Sequence, residues 1–130
     1  MTDSVELAGR VEIIESGYEY LLAYAAQGRQ EEAGSTVRQT LDDMSAALDG
    51  LGSLVVAAVG GAAVSGRPDT SEFLATVGHD ARLARGAIGL VASRQAISSL
   101  LIDNLNASVH LRALLTDLFL IEQALKTSKG

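Results

Sequence analysis

Residues 50–66, GLGSLVVAAVGGAAVSG, carry neither a charged side chain nor an aromatic ring. Leu and Val are mixed there with Gly, Ala and Ser. A segment of this kind has to be buried, whether inside its own molecule, against a copy or a partner, or in lipid. Lipid fits worst. The seventeen uncharged residues between Asp49 and Arg67 would form a helix of about 25 Å, whereas a bilayer core takes roughly twenty predominantly apolar residues. Five of the seventeen are Gly and two are Ser, which lowers the transfer gain, and no Trp or Tyr anchors flank them.

The register upstream says what the segment belongs to. Val37, Leu41, Met44, Leu48 and Leu51 alternate spacings of four and three, and Val55, Ala58 and Ala62 continue the series through Gly50 and Gly52. This predicts one long helix over 35–65 with a bend at Gly50. Within it Ser53, Ala57, Gly61 and Ser65 recur every fourth residue. Small side chains at that spacing leave a shallow groove in which another helix backbone can settle. Gly66-Arg67-Pro68-Asp69 is turn chemistry and ends the helix.

The same logic divides the rest of the chain. Leu7, Val11, Ile14, Tyr18, Leu21 and Ala25 form a heptad seam for a first helix over 4–27, with Asp3 and Glu6 at capping-box spacing, Gly28 placed to terminate it, and Gly17 marking a close contact. A third helix over 70–94 opens on Asp69 and Glu72, again at capping-box spacing. It carries Leu74, Val77, Ala81, Ala84, Ile88 and Val91 on one face. A second line on it, Gly86, Gly89, Ser93 and Ala96, is made of small residues only. A break between Ser93 and Ser99 leads to a last helix over 98–127, striped by Leu111, Leu114, Leu118, Ile121 and Leu125 and broadened by Leu115 and Phe119. Asp103-Asn104-Leu105-Asn106 is a second place where side chains compete with helix hydrogen bonds. No period-two run of β-branched residues argues for a strand.

Composition fits this picture. The 130 residues hold one domain, 48% of them hydrophobic and only 4% aromatic, so the core is built from Ala, Leu, Val and Ile. The single proline, Pro68, leaves long uninterrupted runs on either side. There is no cysteine, which removes disulfides, thiolate metal sites and cysteine nucleophiles. The net charge of −6 is uneven, with three bases against ten acids in residues 1–66 and seven bases against six acids afterwards. An acidic chain without a basic cluster does not suit nucleic acid. The asymmetry reads as complementarity between two halves that pack together. The opening MTDSVELAGR has acid where a secretory signal carries base, and the expected location is cytoplasmic.

Polar constellations give little chemistry. Glu12, Glu15 and Glu19 share one side of the first helix, but a carboxylate-bridged bundle site needs Glu-x-x-His, and neither His79 nor His110 follows a glutamate by three. They read as a solvated acidic face. His79-Asp80, with Arg82 and Arg85, is the densest polar group of the third helix, yet adjacent helix positions diverge by about 100°, so Asp80 does not orient His79. His110 and Arg112, near Asp103 and Asp117, read as the polar flank of an amphipathic helix. Tyr20 and Tyr24 share a face, with Tyr18 in the seam. Gly60-Gly61 lacks the following Lys-Ser or Lys-Thr and the preceding strand of a phosphate loop.

The sequence therefore predicts an all-α fold: one domain over 1–130, a largely antiparallel bundle of four main helices with small-residue packing faces. With no catalytic, metal or cofactor residues to name, the expectation is a non-catalytic scaffold or accessory subunit. It would act through homo-oligomerisation or as part of a larger complex, with Ser53, Ala57, Gly61, Ser65, Gly86, Gly89 and Ser93 at the interface. The alternative is a carrier holding an apolar small molecule in a Gly- and Ala-lined cavity along the bundle axis.

Overall fold

The computed structural model describes residues 2–30, 36–60 and 67–128. Those residues form six α-helices and no strand: α1 (Thr2–Ala25), α2 (Thr36–Leu48), α3 (Leu51–Val59), α4 (Pro68–Ala92), α5 (Ser99–Asn106) and α6 (Val109–Ser128). The expected helix over 35–65 is corrected to two. Gly50 takes φ +69°, a left-handed conformation that interrupts the helix and that residues with a Cβ rarely adopt. The periodicity survives the break because it reports which side chains face the core, not whether the backbone between them stays helical. Val37, Leu41, Met44, Leu48, Leu51 and Val55 are all buried, across both pieces. α3 closes at Gly60, φ +92°, whose N–H reaches the Val56 carbonyl.

The expected helix over 98–127 is also two. α5 is capped by Ser98, whose hydroxyl accepts the Leu101 N–H at 3.1 Å. It ends at Asn106, the last residue of the polar run that competes with helix bonding, and α6 begins three residues later. At the start of α4 the expected cap shifts. Arg67 holds the cap position without a side-chain bond, Pro68 opens the helix, and Asp69 lies in the first turn. There its charge favours the positive end of the helix dipole.

The other helices lean on α1 and α4, each of which packs against α2, α3, α5 and α6. Between them lies one continuous core, in which Leu7, Val11, Ile14 and Leu21 of α1 meet Val77, Ala81, Ala84 and Ile88 of α4 and Leu111, Leu114 and Leu118 of α6. Two glycines bring helices unusually close. Gly17 is buried under Met44, so that an added Cβ would come to 2.5 Å of its Cγ. Gly52 on α3 lies against Gly78 on α4, where a Cβ on Gly52 would fall 2.7 Å from the Gly78 Cα.

Candidate functional site

The break between α2 and α3 is held from both sides by arginine. Arg10 of α1 donates to the carbonyls of Ala47 and Asp49, while also meeting Glu6 at 2.8 Å. From α4, Arg85 donates to the Ser45 carbonyl and hydroxyl at 3.2 Å and approaches the Asp49 carboxylate at 3.5 Å. The last carbonyls of a helix have no partners within it, so two guanidinium groups at the C-terminus of α2 satisfy them and complement its dipole. Arg38 does the same for α4, donating to the carbonyls of Ala92, Arg94 and Gln95 at 2.9, 2.8 and 2.9 Å. The Gly52–Gly78 approach follows directly after the clamped break, and the positions of α3 and α4 are thereby set by backbone and guanidinium contacts.

This arrangement decides where the expected interface residues lie. Ser53 and Ala57 are exposed on α3; Gly86 and Gly89 are exposed on α4, and Ser93 is exposed at its C-terminal cap. Gly61 and Ser65 fall outside the described residues. A Cβ added at Gly86 or Gly89 would meet nothing within 4 Å, so among the described residues these glycines serve no helix contact. Ser93 turns its hydroxyl back to the Leu90 carbonyl at 2.6 Å. Leu83 and Leu90, 37% and 66% exposed, flank the two glycines on the same outward face. The close helix crossing is made instead by Gly52 and Gly78, which the every-fourth-residue pattern did not single out. The usable signal was Gly52 inside an apolar register, where a glycine has no propensity reason to be.

A shallow open groove lies between α1 and α6, lined by Tyr18, Leu22, Leu115 and Phe119, with Glu15, Glu19, Arg112 and Thr116 at its rim. Phe119 is 43% exposed, although it was expected to broaden the buried stripe. Tyr24, by contrast, is buried, and its hydroxyl donates to the Ile97 carbonyl. Beside it Ser99, also buried, donates to the Tyr24 carbonyl at 2.7 Å and accepts the Arg29 N–H at 2.8 Å. Asn106 donates to the Leu21 carbonyl at 3.1 Å. These bonds tie the C-terminal end of α1 to α5.

Titratable groups converge at one place. His110 of α6 puts Nδ1 3.5 Å from a carboxylate oxygen of Asp80 on α4; the imidazole is 45% exposed and the carboxylate side chain 15%. Asp117 is half-buried two turns along α6. Burial, and secondarily the Asp80 carboxylate, raise its carboxyl above the ordinary value. His79 is exposed, so Asp80 pairs with the distant histidine rather than with its chain neighbour. Among the described residues, no group of three or more His, Asp or Glu side chains is arranged to hold a metal ion. Nor is any helix long and apolar enough to cross a membrane.

No family model, curated protein or solved structure matches this chain. The outward face of α4 offers two glycines with open space above them between exposed leucines. The α1–α6 groove offers two aromatic side chains, Tyr18 and Phe119, in an otherwise aromatic-poor chain.

Proposed function

We propose that this chain is a non-catalytic cytoplasmic subunit that assembles with copies of itself through the outward face of α4. The observation that carries the reading is the open space over Gly86 and Gly89. Each glycine within a helix costs about 1 kcal/mol relative to alanine, and among the described residues neither gains a close contact in exchange. A second helix laid across them would gain that contact. Leu83 and Leu90, seven residues apart on the same face, would then be buried on either side of the crossing. In a two-fold arrangement with the α4 helices opposed, each Leu83 would meet the Leu90 of the other copy, which is the self-complementarity an isologous dimer requires.

The scaffold in this reading is a largely antiparallel bundle of four rods: α1, α2 with α3, α4, and α5 with α6. Its support is the order of cross-helix partners. Arg10 bonds near Asp49 and Gly17 meets Met44; Arg38 bonds at Ala92, Arg85 at Ser45, and Gly52 meets Gly78. In each series one chain number rises as the other falls.

The test is the mass in solution of wild type and Gly86→Leu, by size exclusion with light scattering. The variant adds bulk where the monomer has room, so it should keep its helicity and lose the assembly. A wild type that stays monomeric into the high micromolar range would sink the reading.

The α1–α6 groove favours a second reading, a carrier for an apolar small molecule resting on Tyr18, Leu22 and Phe119 rather than in a cavity on the bundle axis. Its support is the exposure of Phe119. Extraction of purified protein followed by mass spectrometry, together with binding of an apolar dye to wild type and Phe119→Ser, distinguishes it. Protein without ligand, and dye binding that ignores the substitution, would rule it out.

A further inference from the structure

The break between α2 and α3 is not demanded by the way these helices pack. Arg38 of α2 bonds at Ala92 of α4, Arg85 bonds back at Ser45, and Gly52 of α3 meets Gly78. From Arg38 to Ser45, and again from Ser45 to Gly52, the chain advances seven residues, and each time the partner on α4 falls back by seven. The first step runs within unbroken helix and the second crosses the break, while α4 is helical throughout. The break therefore advances along α4 as a helix would. Rotation is kept as well, since Leu48, Leu51 and Val55 stay buried at the spacings of a continuous heptad. An uninterrupted helix over 36–59 would occupy the same seat.

What differs is the backbone bonding. In an unbroken helix the carbonyls of Ser45, Ala47 and Asp49 accept from the N–H groups of Asp49, Leu51 and Ser53, four residues on. Here arginine donates to all three. Arg10 donates to Ala47 and Asp49 and is itself held by Glu6 at 2.8 Å. Arg85 donates to Ser45 at 3.2 Å, while the Asp49 N–H turns to the Ala46 carbonyl at 3.3 Å. Gly50 supplies the left-handed residue, φ +69°, on which this arrangement turns.

We propose that Asp49-Gly50 is a two-state joint. Arg10 and Arg85 hold α2 and α3 apart, and when they let go the two join into one helix without leaving their shared seat on α1 and α4. The joined state exchanges guanidinium bonds for backbone ones at the same carbonyls, so the two states differ by a few local bonds and not by repacking of the core. A side chain at position 50 has room, because an added Cβ would meet no described atom within 4 Å. Gly28 offers the contrast. Its φ is +67° and it too has open space above it, but the next residue is tied to α5. The Arg29 carbonyl accepts the Ser99 N–H at 2.9 Å, and the Arg29 N–H donates to the Ser99 hydroxyl at 2.8 Å. A helix continued past Gly28 would break both bonds, so alanine there is left with the unfavourable left-handed form.

The experiment places alanine at each of these glycines in the full chain and follows carbon chemical shifts and amide exchange by NMR. Gly50→Ala should stay folded, bring the shifts of residues 49–51 to helical values, and slow exchange of the Leu51 and Ser53 amides by about tenfold or more, with Val77 and Ile88 on α4 unchanged. Arg10→Gln removes the donor to two of the carbonyls and leaves Gly50 in place; it should move the same shifts part of the way toward those values. Gly28→Ala should lower the thermal unfolding midpoint, and Gly50→Ala should not. The joint has only one state if Gly50→Ala unfolds the chain, if it lowers the midpoint as Gly28→Ala does, or if Leu51 and Ser53 exchange as fast as in wild type. Shifts at 49–51 that ignore Arg10→Gln would overturn the part assigned to arginine.

Discussion

Gly52 and Gly78 face each other so closely that a Cβ on Gly52 would lie 2.7 Å from the Gly78 Cα, and one on Gly78 would lie 3.2 Å from the Gly52 Cα. Both obstacles are backbone, which cannot swing aside as a side-chain tip can. Gly52→Ala must therefore move α3 away from α4, opening the core around Leu51, Val55 and Val77. The gain in helix propensity, about 1 kcal/mol, is outweighed by strain of about 1–3 kcal/mol. Chemical denaturation should show Gly52→Ala destabilised and Gly78→Ala less so. Gly86→Ala, with open space above it, serves as the control and should lose no stability in the monomer.

Gly17 and Met44 should behave as a coupled pair. An added Cβ at position 17 would collide with the Met44 Cγ and Sδ at 2.5 and 2.6 Å. Gly17→Ala alone then forces Met44 out of its place in the core. Combined with Met44→Ala, which by itself removes a fully buried side chain at about 2–5 kcal/mol, the added methyl fills part of the space vacated. A double-mutant cycle on unfolding free energies should give a favourable coupling above about 0.5 kcal/mol. Simple additivity would mean the two side chains do not compete.

Arg38 reaches three carbonyls at the end of α4 with one planar guanidinium. Lysine offers a single ammonium centre and cannot span them. Arg38→Ala should cost about 1–2 kcal/mol through the unpartnered carbonyls, and Arg38→Lys should recover only a part of it. Full recovery by lysine in thermal unfolding would show that charge alone, and not the fork, matters at this position.

Ser99 bridges the end of α1 to the start of α5 from a buried position. Ser99→Ala leaves the Arg29 N–H and the Tyr24 carbonyl without that partner, at about 1–3 kcal/mol. Faster exchange of amides at the α1–α5 junction than elsewhere in the core would locate the loss.

Much of this is legible in the sequence. The spacing of Leu74, Val77, Ala81, Ala84, Ile88 and Val91 places them on the core face of the third helix, and all six are buried. Hydrophobic period is a property of the chain itself, because the same 3.6-residue repeat that places side chains on a face also decides which of them can leave water together. Gly28 was likewise expected to end the first helix region, and its φ of +67° is the conformation that only glycine adopts readily.

Three things were not legible. The break at Gly50 does not disturb the heptad register, so periodicity is blind to it. The small-residue row Gly86, Gly89 and Ser93 resembles a packing face, but whether such a face points inward depends on the rotation of α4, which is fixed by its apolar stripe meeting α2, α3 and α6. The pairing of Asp80 with His110 spans thirty residues of sequence and depends on which helices become neighbours. The sequence by itself determined that this chain is helical and which side chains form its core, since both follow from local propensity and period. Only the tertiary structure decided which glycines touch, which arginines close helix ends and which histidine meets Asp80, because each depends on how helices distant in the chain are rotated and placed against one another.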